Sequence, residues 1–191
     1  MVSKQQQILQ TALTLFAQQG ISTTTTASIA KQAGVATGTL FHHFPTKQAL
    51  IRALHLQTKT KLASAMTSQP PEGTLRQQVQ HYWEQALHWA LSHPDDVQFM
   101  LLFNHDPDYP LSEHHDYMAA TMGFLPALIS QAQQQHLLAP LPQTLILNFC
   151  HHHFLSTARL FAEQPDLATQ LAYQDGAFHI LWQALQPTDH A

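Results

Sequence analysis

Ile29-Ala30-Lys31-Gln32-Ala33-Gly34-Val35-Ala36-Thr37-Gly38-Thr39-Leu40-Phe41-His42-His43-Phe44 reads as two short helices joined by a tight turn. The first helix ends at a glycine, three or four residues make the turn, and small polar residues open the second helix. That is the shape of a helix-turn-helix, whose second helix enters the DNA major groove while the first crosses the backbone. Gly34 supplies the positive φ that such a turn needs. Ala30, Val35 and Leu40 are placed to pack the two helices together. Thr37, Gly38 and Thr39 keep the front of the second helix slim, so its backbone can approach base edges and phosphates. Leu40, Phe41 and Phe44 are expected in the core of a small domain.

The flanks fit this reading. Upstream, Ile8, Leu9, Ala12, Leu13, Leu15 and Phe16 recur at helical spacing within Lys4 to Gln19, and Gly20 stops the helix. The threonines at 23–26 form a turn in which Thr25 or Thr26 caps a helix of about Ala27 to Ala33. Pro45 ends the segment from Thr37 to Phe44. Thr46 then caps a longer helix from Lys47 to about Thr67.

Charge divides the chain in the same place. Residues 1–71 hold Lys4, Lys31, Lys47, Arg52, Lys59 and Lys61 and no carboxylate. All 12 acids fall in residues 72–191, with Arg76 and Arg159 as the only bases there. The net charge of −4 thus conceals a first third suited to a polyanion. The stretch Ser68-Gln69-Pro70-Pro71-Glu72-Gly73 is the best internal boundary.

Beyond it the patterns remain helical: Leu75 to Ser92, Asp95 to Asn104, Glu113 to Leu138 with a bend at Pro126, Pro142 to Gln164, and Leu167 to Leu185. His105 to Ser112, with two prolines, reads as a loop. The expectation is an all-α chain of about nine helices. A 1–46 helix-turn-helix head leads into a 47–67 connecting helix and a 73–191 helical body. One cysteine, Cys150, no signal-like N-terminus and no long apolar run point to a cytoplasmic protein.

Two other chemistries are weighed against DNA binding. The 15 histidines and the run Cys150-His151-His152-His153 suggest a metal. Successive helical residues point about 100° apart, so the three histidines cannot converge on one ion, and no metal or cofactor is expected. Ser112, Glu113, His114 and Asp116 resemble a catalytic cluster only in composition, with no nucleophile elbow or phosphate loop around them. No enzyme activity is expected.

IAKQAGVATGTLFHHFPTKQAL, with ILQTALTLFAQQGISTTTTASIA before it, resembles the signature of the tetracycline-repressor (TetR) family over about residues 5–55. The resemblance implies a ligand-responsive repressor that is a homodimer joined through its last two helices. It implies an inverted-repeat operator as partner, with Thr26 and Lys47 at phosphates, Thr37, Gly38 and Thr39 facing the groove, and His42 and His43 following. The chain departs from the family at Ala36, often Ser, which cannot cap the second helix and leaves Thr37 to cap it one residue late. It departs again at Phe41, often Tyr, which lacks a hydroxyl for phosphate. The resemblance also implies a ligand cavity among the middle helices. Its aromatic and methionine content suits a small hydrophobic or aromatic effector. Trp83 and Phe103 are candidate walls, and His105, Tyr117, Asn148 and His152 candidate anchors. On the last helix, Phe178, Leu181, Trp182 and Leu185 belong to an apolar stripe that a two-fold partner would cover.

Overall fold

The computed structural model describes residues 2–104 and 117–187, and among these the chain is helical without strands. It divides into two compact units: residues 2–61 with 93–104, and residues 62–92 with 117–187.

The first unit is built on α1 (Lys4–Gln19). Ser3 caps it, its Oγ accepting from Gln6 N at 3.1 Å. The predicted face, from Ile8 to Phe16, is buried. Gly20, at φ +88°, ends the helix. Two threonines then satisfy carbonyls that the helix end leaves open: Thr23 Oγ1 donates to Gln19 O, and Thr24 Oγ1 donates to Gly20 O at 2.8 Å. α2 (Thr26–Gln32), α3 (Thr37–His43) and α4 (Lys47–Met66) follow within a residue or two of their expected bounds.

α6 (Pro94–Asn104) completes this unit. Sequence reading groups it with the body, but here it packs against α1. The Phe16 and Phe99 rings stack with centroids 6.0 Å apart, and Phe103 lies 6.1 Å beyond Phe99. His55 of α4 stacks on Phe103 at 3.8 Å. The N-terminal carboxylates of α6 are used as well. Asp95 accepts from Thr14 Oγ1 at 3.4 Å, and buried Asp96 accepts from Thr58 Oγ1 at 3.0 Å and from Lys61 Nζ at 3.1 Å.

Lys59 is wholly buried, and burial pulls its ammonium from 10.5 down to about 7. In the unfolded chain it keeps its ordinary value. Between about pH 7 and about pH 10.5 the unfolded state therefore binds more protons, and stability rises with pH across that window. Urea midpoints for the wild type should increase from about pH 7 to about pH 9.5, and Lys59→Met should flatten that rise.

The second unit contains the end of α4, α5 (Leu75–Ser92), and a helical stretch over residues 117–121, α7. α8 (Phe124–Gln134), α9 (Gln143–Glu163), α10 (Pro165–Ala168) and α11 (Leu171–Leu185) follow. The expected bend at Pro126 is instead a break at Met122–Gly123. Pro126 sits in the first turn of α8, where its missing N–H has no helical partner to lose. α9 packs on α5, α10 and α11. No described helix is long and apolar enough to cross a membrane.

Candidate nucleic-acid interface

α2 and α3 are held by their turn as much as by their core. Thr25 caps α2, its Oγ1 accepting from Ser28 N at 3.1 Å. At the other end Gly34, at φ +66°, turns the chain so that Val35 N donates to Ala30 O at 3.0 Å and Gly34 N donates to Lys31 O at 3.3 Å. This double closure is a Schellman motif, and it fixes the angle at which α3 leaves. α2 packs on α3, and Ile29 and Ala30 of α2, Leu40 of α3 and Phe44 just after it are all buried. Ala36 is the N-cap of α3 and makes no side-chain bond. Thr37 is already the first helical residue, so the late cap expected of it is not made.

The rest of α3 faces outward. Thr37, Gly38 and His42 are exposed, and Thr39 and His43 are half-buried. Phe41, expected in the core, is 43% exposed. Leu40 and Phe44 are four apart and share the inner face, which turns Phe41 about 100° away from it. Sequence reading missed Phe41 as a surface residue because an aromatic on a seven-residue helix looks like core. The i, i+4 spacing of its two neighbours was the available signal.

Lys47 follows at the start of α4, after Thr46 caps that helix with Oγ1 accepting from Ala49 N at 3.0 Å. The Lys47 ammonium reaches back to the turn after α1, donating to Ile21 O at 2.5 Å and to Ser22 O at 3.4 Å. Lys47 therefore ties α4 to the approach to α2. Thr26, the first residue of α2, is half-buried. The carboxylates among the unit's described residues, Asp95 and Asp96, are both engaged on α6. The surface of α1 to α3 thus carries no negative side chain.

Of the six ligand candidates, Trp83, Tyr117, Asn148 and His152 lie in the second unit. In the second unit a cleft of about 310 Å³ is lined by Trp83, Glu84, His88, Phe161, Asp175 and Phe178 among others. A smaller one of about 210 Å³ is lined by Met118, Met122, Pro126, Thr144, Leu147 and Asn148 among others. Trp83 borders the first and Asn148 the second. Tyr117 is half-buried on α7, and His152 is exposed with Nδ1 donating to Asn148 O at 2.9 Å. Phe103 belongs to the core of the other unit, stacked under His55. His105 and the cluster Ser112, Glu113, His114 and Asp116 lie outside the described residues.

The histidine run is dispersed. His151 is buried. His153 lies against the rings of Trp83, at 5.2 Å, and Phe149, at 5.9 Å, with Nε2 donating to Ala177 O at 2.9 Å. Burial pushes the Cys150 thiol up to about 12. Among the described residues no three His, Cys, Asp or Glu side chains gather as a metal site would require.

The stripe on α11 is also corrected. Phe178, Leu181, Trp182 and Leu185 are buried within the single chain. The Arg76 guanidinium lies 6.0 Å from the Phe178 ring centre and 5.9 Å from that of Trp182. These four side chains leave no surface for a partner. Leu171, Tyr173 and Ile180 of α11, with Leu145 and Leu160 of α9, are the exposed large apolar residues on these helices.

Residues 8–54 match the family described as bacterial regulatory proteins, tetR family. The crystal structure of a putative tetR family transcription regulator from Shewanella sp. PV-4 superposes with a TM-score of 0.93. It is 37% identical to this chain, and the alignment covers 98% of this chain and 100% of that one. The HTH-type transcriptional repressor KstR2 of Mycolicibacterium smegmatis is 41% identical over 49 residues, 26% of this chain and 24% of that protein. The uncharacterized HTH-type regulator YerO of Bacillus subtilis is 25% identical over 115 residues, 56% of this chain. The chain spans only 24% and 38% of the lengths of these two curated relatives.

Proposed function

Because this chain belongs to the tetR family of bacterial regulatory proteins, we propose that it is a cytoplasmic repressor that grips an inverted-repeat operator as a homodimer and releases it when a small apolar or aromatic molecule binds. The observation that carries the DNA reading is α3 itself. It is a short helix fixed by a Schellman turn, buried on its Leu40–Phe44 side and open on its Thr37–Gly38–Phe41–His42 side, on a surface free of carboxylates.

In this reading Thr37, Gly38 and Thr39 meet base edges, and exposed Phe41 suits a thymine methyl. Thr26, His42, His43 and Lys47 meet phosphate and set the register. The dimer forms through α9 and α11. On α11, Tyr173, Ala177, Ile180 and Ala184 recur at spacings of four and three, the pattern of a helix-packing seam. The effector enters the second unit, and the apolar cleft holding Asn148 suits it best. Its binding shifts the separation of the two heads through α4 and through the single residue, His93, that joins α5 to α6. Half-sites lie about 34–36 Å apart, so a shift of a few ångströms breaks the match. A coupling of roughly 1–3 kcal/mol is typical of such linkage. No catalytic step or cofactor enters this scheme.

Selection from a random duplex library at low salt tests it. A dimer should enrich an inverted repeat. A lone half-site would overturn the dimer, and no enrichment would overturn sequence-specific binding. On the selected duplex, Lys47→Ala should weaken binding to all sequences alike and lower the salt slope by about one unit. Thr39→Ala should alter sequence preference instead. If Lys47 serves only to tie down the carbonyls of Ile21 and Ser22, affinity falls with the salt slope unchanged.

A further inference from the structure

We propose that DNA binding by this chain takes up protons, because His42 and His43, the last two residues of α3, become charged against the phosphates they meet. The inference rests on the placement of α3 at DNA and adds a dependence on pH to it.

His42 is exposed and His43 half-buried, and their rings meet edge-on with centroids 5.5 Å apart. Both stand in the last turn of α3, where the carbonyl end of the helix favours positive charge. α1 and α2 pack against α3, and their only charged or titratable side chains are Lys4 and Lys31. Lys47 and Arg52 follow on α4, and no carboxylate occurs before Glu72. Asp95 and Asp96 are engaged with Thr14, Thr58 and Lys61. Every charged side chain on α1 to α4 is thus basic, and among the described residues of this unit both carboxylates are engaged elsewhere.

Duplex DNA supplies the missing anion. Histidine ordinarily titrates near about 6.5, and a phosphate within hydrogen-bond reach favours the imidazolium. Near neutral pH the complex then holds more protons than its separated parts, and affinity must rise as pH falls. Lysines at these positions would stay charged throughout this range and give no such dependence.

The test uses the full-length protein and a mixed-sequence duplex at fixed low ionic strength, from about pH 6 to about pH 8. Affinity should fall across that range by up to about tenfold for each histidine whose pKa rises by about one unit on binding. His42→Gln and His43→Gln should each remove part of the slope, and the double variant nearly all of it. Calorimetry of the unmodified protein in buffers of different ionisation heat should show net proton uptake. A flat wild-type profile, or no uptake, would overturn the proposal and leave DNA binding standing. A slope that persists in the double variant would overturn it too, assigning the proton to a group such as buried Lys59. Failure to bind any duplex at any pH would instead remove the DNA reading and this proposal with it.

Discussion

Phe99→Ala should lower the stability of the first unit by about 3–5 kcal/mol, the usual range for removing a wholly buried aromatic side chain. The ring stacks on Phe16 and borders Phe103, so its loss empties the contact between α1 and α6. A domain has only about 5–15 kcal/mol in all, so the helix-turn-helix should become marginal although residue 99 lies far from it in sequence. The protein reports its two units separately. Trp83, Trp89 and Trp182 all belong to the second unit, whereas far-UV circular dichroism reads both. Urea unfolding of the variant should therefore show an early loss of ellipticity, with the tryptophan transition near its wild-type midpoint. A common shift of both signals would mean that the two units unfold as one.

That dependence could not be read from sequence. The helix at 94–104 is legible, because Asp95 and Asp96 suit a helix N-terminus and apolar residues follow. Its partner is not legible, since an apolar face states that something must cover it and not which element does. The same gap explains α11. The stripe of Phe178, Leu181, Trp182 and Leu185 does need covering, but its own chain covers it, and the residues left outside are Leu171, Tyr173 and Ile180. Where local chemistry decides the outcome, the reading holds to the residue. α1 runs Lys4–Gln19 and α5 runs Leu75–Ser92, as the 3.6-residue period and flanking stops indicate.

The candidate site divides along the same line. The turn at Gly34, the cap at Thr25 and the burial of Leu40 follow from residue types at fixed spacing. Phe41 and Phe103 do not, because an aromatic side chain carries no mark of which neighbour it will meet. Lys47 combines both cases. Its position at the head of α4 is plain from Pro45 and Thr46, while its grip on the carbonyls of Ile21 and Ser22 depends on chain separated from it by two helices.

Gly38→Glu should separate folding from binding most sharply. A Cβ built at Gly38 meets nothing within 4 Å, so a side chain there has room. The position is in the first turn of α3, where a carboxylate suits the helix dipole and glutamate is a better helix former than glycine. Thermal stability should hold or rise by up to about 1 kcal/mol. DNA affinity should do the opposite. If the first turn of α3 lies in the groove, the carboxylate points at phosphates on a surface otherwise empty of negative charge. Like-charge contact of this kind costs several kcal/mol, which is about a hundredfold or more in affinity. Gly38→Ala supplies the steric comparison and should lose much less. Raising the salt should narrow the difference between the two variants, because screening weakens repulsion as well as attraction. A Gly38→Glu protein that melts like the wild type and binds within a few-fold of it would place the first turn of α3 away from DNA.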